Sequence, residues 1–147
     1  MRPLLFLLAF AGVAHAQVKS QNEPTNAVEA AAKKAAEDKA LDDQYQAWKA
    51  KLPADQQAWE TVLEQNLGNG FYLPLHKKDK IAGRSNAWDF VQDDPKLPRV
   101  LLIGDSISMG YTLPVRAKLA GRANVHRPLE NSGDTARGVA SLDKWLG

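Results

Sequence analysis

The sequence predicts an α/β fold, the opening of a parallel-sheet domain preceded by an export signal and a helical arm. Three observations lead there. Arg99-Val100-Leu101-Leu102-Ile103 is a continuous run bounded by turn residues, which is how a strand covered on both faces reads. A helix over Pro114 to Leu119, a second short strand over Ala123 to Arg127 and a helix over Thr135 to Leu146 then complete a β-α-β-α order. Upstream, an apolar N-terminus gives way to a long alanine-rich stretch with helical character.

With 147 residues the chain has room for one ordinary domain and its appendages. Apolar residues at 44% and charged residues at 24% are normal for a globular protein, and the mildly negative mean hydropathy leaves part of the chain in water. Nineteen basic and 17 acidic residues are mixed along the sequence, so no basic stripe tracks a phosphate backbone and nucleic acid is not an expected partner. The absence of cysteine excludes disulfides and thiolate metal sites.

Residues 1–16 read as a signal peptide. Arg2 supplies positive charge, Leu4 to Ala14 is an unbroken apolar run, and Ala14-His15-Ala16 is the small-x-small pattern of a cleavage site. A membrane span needs about 20 apolar residues, and this run is followed by polar Gln17, Lys19, Ser20 and Gln21, so no stable span and a periplasmic or extracellular location are expected. Residues 17–52 read as a linker followed by a solvated helical spacer. From Asn26 to Lys51 the chain is rich in Ala, Lys, Glu and Asp, with Glu29 and Lys33 at i,i+4 and no sustained heptad of large residues.

Residues 53–97 form a helical and irregular lead-in. Trp59, Val62, Leu63 and Leu67 fall on one face of a helix beginning near Pro53 and ending at Gly68-Asn69-Gly70. Phe71 to Leu75 is a short apolar piece interrupted by Pro74, and the basic cluster of His76, Lys77, Lys78, Lys80 and Arg84 reads as a wet face. Trp88, Phe90 and Val91 should cover a flank of the sheet domain, and residues 93–98 read as a linker. Residues 98–147 then carry the sheet, with Val139, Leu142 and Leu146 on one face of the last helix. About fifty residues make a marginal core, so this piece is not expected to stand alone.

The chemistry lies at the end of the first strand. Gly104-Asp105-Ser106 follows the apolar run at once, and a glycine there lets the backbone turn so that Ser106 meets the N-terminus of the next helix. Helix-terminal N–H groups stabilise the negative charge of a tetrahedral intermediate. The purely structural alternatives are a helix N-cap for Ser106 and a turn with positive φ for Gly133; both can hold together with a catalytic role.

Val100-Leu-Leu-Ile-Gly-Asp-Ser-Ile-Ser108 resembles the first block of the SGNH (GDSL-type) hydrolases, and Asn131-Ser132-Gly133-Asp134-Thr135 is similar to their second block. The resemblance is strong over residues 98–147, weaker from residue 54, and extends to secreted bacterial esterase-like members. It implies a three-layer α/β/α, flavodoxin-like sheet, a nucleophile at Ser106, an oxyanion-hole N–H at Gly133, no cofactor, and an ester or acylated carbohydrate or lipid as substrate. The family's third block, Gly-x-Asn, and its final Asp-x-x-His occur nowhere in these 147 residues. The chain is therefore expected to be the N-terminal part of such a hydrolase, inactive alone because a serine needs an adjacent base. His126 precedes the oxyanion-loop glycine and reads as a strand-end residue bonded to backbone or water, and His76 is a weaker candidate still. No histidine or carboxylate set has metal-ligand spacing. Gly104-Asp-Ser-Ile-Ser-Met-Gly110 has too few glycines, and a repelling carboxylate, for a phosphate loop. The alternative from a different class is a non-catalytic exported module that binds a partner or a cell-wall glycan through the helical arm and a partial SGNH fold.

Overall fold

The computed structural model describes residues 23–147; the expected signal peptide and the start of the linker lie outside them. The fold is helix-rich with one small parallel sheet. Among the described residues six helices, α1 (Glu23–Lys49), α2 (Ala54–Asn66), α3 (Tyr72–Ile81), α4 (Ile107–Lys118), α5 (Thr135–Ala140) and α6 (Leu142–Leu146), accompany strands β1 (Arg99–Leu101) and β2 (Asn124–His126). No helix among the described residues is long and apolar enough to cross a membrane.

Helix α1 forms where Ala, Lys and Glu dominate. Residues 26–40 are exposed, as a spacer should be. The next turns are exposed on one side only. Tyr45 is fully buried, and Lys49 and Gln46 reach Glu64 of α2 at 2.5 Å each. The solvated reading thus fails for the side of α1 that carries Leu41, Tyr45, Trp48 and Lys49, within the compact unit spanning Ala36–Gly147. Thin as its apolar face is, α1 contributes one aromatic side chain that finds a buried acceptor.

Helix α2 buries Leu63, with Leu67 just beyond its end, against Leu73 of α3 and Trp88. Val62, expected on the same face, is 37% exposed, and its place is taken by Glu60 at 3%. The apolar piece at Phe71 starts α3 instead of standing apart, because Pro74 falls in the first helical turn, where its missing N–H has no intrahelical acceptor to lose. The basic cluster is a wet face only at Lys78 and Arg84, which are exposed. His76 is fully buried, Lys77 pairs with Asp42 at 2.5 Å, and Lys80 pairs with Asp89. A helical period carried these residues inward onto acids from distant parts of the sequence.

Strands β1 and β2 pair in parallel, with Val100 opposite Val125 and Leu101 opposite His126. The first strand is shorter than Arg99–Ile103 and is not covered on both faces, since Arg99 is exposed and Ile103 is 40% exposed. With one neighbouring strand, its flanks stay partly open. The segment before it is no loose linker: Asn124 accepts from the Asp94 N–H at 3.0 Å and donates to the Asp94 carbonyl at 2.8 Å. Met109 of α4 and Leu129 pack on the Leu63–Trp88 cluster, so residues 98–147 share a core with the helices before them.

Helix α4 begins directly after Ser106, well before the expected start at Pro114, which lies in its interior. The expected last helix is broken at Ser141 (φ −105°, ψ 0°) into α5 and α6. Its apolar face is largely uncovered, with Val139 65% and Leu146 67% exposed.

Candidate active site

Gly104 needs to be glycine for space. A Cβ there would lie 2.8 Å from Ser108 Cβ and 2.9 Å from Tyr111 Oη, closer than packing tolerates. The turn can therefore press onto α4, which leaves Ser106 exposed at the N-cap position with helical dihedrals (φ −60°, ψ −26°). The Ser106 side chain does not cap the helix. Asp105 does the capping instead, its carboxylate accepting the Ile107 N–H at 2.8 Å.

The two expected blocks meet. Ser132 Oγ accepts the Gly104 N–H at 3.3 Å, and the Ser132 N–H donates to the Gly104 carbonyl at 3.2 Å. This bracket joins the turn before Ser106 to the loop that carries Gly133. Below it, Ser108 is fully buried, donating to the Asp105 carbonyl at 2.6 Å and accepting from Arg127 Nη2 at 3.0 Å. The Arg127 guanidinium lies 5.4 Å from the Trp88 ring centroid, and burial pushes its pKa down. A buried cation thus lies one hydroxyl away from the carbonyl that precedes Ser106.

Gly133 adopts φ +62°, the left-handed region, and a Cβ would approach Arg137 Cδ to 2.9 Å. Its N–H is engaged, donating to Asn131 Oδ1 at 2.8 Å, while Asn131 Nδ2 donates to the Tyr72 hydroxyl at 3.0 Å. Asp134 caps α5 by accepting the Arg137 N–H at 2.9 Å. An ester oxygen seeking the Gly133 N–H would have to displace the Asn131 amide.

The loop is held from its other end by Glu130. It accepts from Lys144 at 2.6 Å, from Trp145 Nε1 at 3.0 Å and from Arg137 at 3.2 Å. The hydrogen bond from Lys144, then that from Trp145, lowers its pKa from 4.5 to about 2. Because the folded value lies below the unfolded one, this stabilisation is complete above about pH 4.5 and disappears as pH falls towards 2. Glu130→Gln should therefore flatten the acid limb of the stability profile between those values, as urea unfolding at stepped pH would measure. An acid limb unchanged by the substitution would remove Glu130 from the account.

Neither described histidine hydrogen-bonds Ser106. His126 ends β2, but its Nε2 meets the Asp93 carboxylate at 2.7 Å, where backbone or water was expected, and Asp93 also holds Arg99 at 3.0 Å. His76 is fully buried, with Nε2 at 2.7 Å from Glu60 and Nδ1 at 3.2 Å from Asn86. Among the described residues no group of three His, Cys, Asp or Glu side chains converges as a metal site would require. Ser108, Asn131 and Ser132 stood in the two blocks read from sequence, but their supporting contacts, and that of Arg127, were not read there. Ser108, two positions after Ser106 on the inward side of a helix start, carried the one readable signal.

No family model, curated protein or solved structure matches this chain.

Proposed function

We propose that the chain is the N-terminal part of an exported SGNH-type serine ester hydrolase, with Ser106 as nucleophile and Gly133 as an oxyanion donor. The observation that carries the reading is the Gly104–Ser132 bracket, which brings together the two sequence blocks that the resemblance pairs. In the proposed reaction Ser106 Oγ bonds to the ester carbonyl carbon and passes its proton to a base. The tetrahedral oxyanion takes the Gly133 N–H in place of Asn131, the alcohol leaves with a proton, and water then releases the acid. The base and its acid partner belong, on the resemblance, to an Asp-x-x-His segment that these residues do not contain. A three-layer α/β/α sheet, with further strands beside β1, is part of the same proposal.

The test is a short-chain chromogenic ester offered to two proteins. The 147-residue chain should show no turnover above its Ser106→Ala variant, and a polypeptide read on past Gly147, through Gly-x-Asn and Asp-x-x-His blocks, should hydrolyse it. Absence of those blocks downstream would count against the enzyme reading.

A second reading, an exported non-catalytic binding module, draws support from a cavity of about 320 Å³ with Trp59 and Trp145 on its walls and Asn66, Glu130 and Lys144 beside them. Aromatic faces next to polar groups suit a glycan. Glycan binding by the chain, with no Ser106-dependent hydrolysis by the longer polypeptide, would favour it.

Export is proposed from the N-terminal pattern. Secreted material should begin at Gln17 on N-terminal sequencing, and intact Met1 in a membrane fraction would contradict this.

A further inference from the structure

Tyr72 opens α3, outside both sequence blocks, yet its hydroxyl reaches the loop that carries Gly133. Asn131, 59 positions further along the chain, is the link. Its Oδ1 accepts the Gly133 N–H at 2.8 Å, and its Nδ2 donates to the Tyr72 hydroxyl at 3.0 Å. A backbone N–H can only donate, so Gly133 settles which way the Asn131 amide points, and the Tyr72 oxygen is the acceptor. The Tyr72 ring is itself held: Phe71 lies 5.4 Å away edge-on, Trp88 lies 5.5 Å away, and the ring packs on the Leu63–Trp88 cluster. A phenylalanine ring would fill that place equally well. The hydrogen bond to Asn131 is therefore the feature of Tyr72 that packing does not require.

We infer that Tyr72 is a positioning residue that latches Asn131 over the Gly133 N–H, so that α3 sets how readily this donor reaches an oxyanion; the inference rests on the reading of Gly133 as an oxyanion donor. An Asn131 side chain bonded at one end turns away easily when a stronger acceptor arrives, and the oxyanion of a tetrahedral intermediate is such an acceptor. Bonded at both ends, the same side chain gives up two hydrogen bonds in turning. Gly133 is exposed, so water could serve its N–H in the resting protein and Asn131 is not needed to satisfy it. Removing the Tyr72 hydroxyl therefore eases formation of the oxyanion hole. Loss of a contact that only supported the loop would slow the reaction instead.

The latch can be read with and without turnover. In the 147-residue protein labelled with ¹⁵N, Tyr72→Phe should speed amide hydrogen exchange at Gly133 by about three- to tenfold, the scale of one hydrogen bond, and leave exchange within α2 unchanged. In the longer polypeptide the same variant should raise kcat for a short-chain ester by about the same factor with KM unchanged. Asn131→Ala removes the latch itself and disturbs no aromatic packing; it should speed Gly133 exchange at least as much, and adding Tyr72→Phe to it should change nothing further. Gly133 exchange unaltered by either variant, an equal effect of Tyr72→Phe with and without Asn131, or a kcat that stays level or falls in Tyr72→Phe would each overturn the inference. Ser106-dependent hydrolysis alongside such a failure would leave the functional reading standing. Faster Gly133 exchange as expected, with no Ser106-dependent hydrolysis by the longer polypeptide, would overturn that reading and the catalytic sense of the latch with it.

Discussion

Glu60→Ala is expected to cost about 3–5 kcal/mol of folding stability, because it removes the centre of a buried polar network and leaves its partners without an acceptor. One carboxylate oxygen of Glu60 accepts the Tyr45 hydroxyl at 2.6 Å and meets His76 Nε2 at 2.7 Å. Tyr45 and His76 are fully buried, so water cannot replace the lost carboxylate. Asn86 continues the chain, its Oδ1 contacting His76 and accepting the Trp88 N–H at 3.1 Å. The network joins α1, α2, α3 and the segment after them, and a small domain holds only about 5–15 kcal/mol in total. Urea unfolding followed by tryptophan fluorescence would measure the effect. Glu60→Gln keeps an oxygen acceptor and should cost less, and a Glu60→Ala loss below about 1 kcal/mol would show that the network contributes little.

The second large effect is chemical. In the longer polypeptide Ser106→Ala should lower ester hydrolysis by roughly 10³-fold or more, since no neighbouring group can replace an activated nucleophile. Gly133→Ala should cost less, about 10²-fold, because it displaces one oxyanion donor and leaves nucleophile and base in place. Two features make Gly133 sensitive: its φ of +62° strains any side chain, and a Cβ would crowd Arg137. Steady-state kinetics with a short-chain ester would rank the two variants, and a larger loss for Gly133→Ala than for Ser106→Ala would contradict these roles.

The sequence made the order of elements from Arg99 onward legible because apolar runs and turn residues alternate cleanly there. Both strands, their order and the helix after Ser106 were readable from that pattern. Boundaries were not. Residue types do not say how many neighbours a strand will have, so Arg99–Ile103 shortened to Arg99–Leu101 beside a single partner. The break at Ser141 had no proline or glycine to announce it. Lys77 and Lys80 looked like solvated charge because Asp42 lies 35 positions from Lys77, and no local pattern encodes so distant a partner. The network of Tyr45, Glu60 and His76 was not foreseen for the same reason, since its members come from three different helices. At the candidate site Ser106 and Gly133 could be picked out by motif, whereas the Ser132 bracket and the Arg127–Ser108 support depend on two segments meeting in space.

The most direct measurement is the fate of Ser106 Oγ during turnover. The longer polypeptide is mixed with an activated ester, quenched in acid within the first turnovers, digested and analysed by mass spectrometry. The account predicts one acyl group on the peptide containing Ser106, formed as the alcohol is released and absent from the Ser106→Ala variant. Ester turnover with the adduct on another residue, or undiminished turnover in Ser106→Ala, would contradict it.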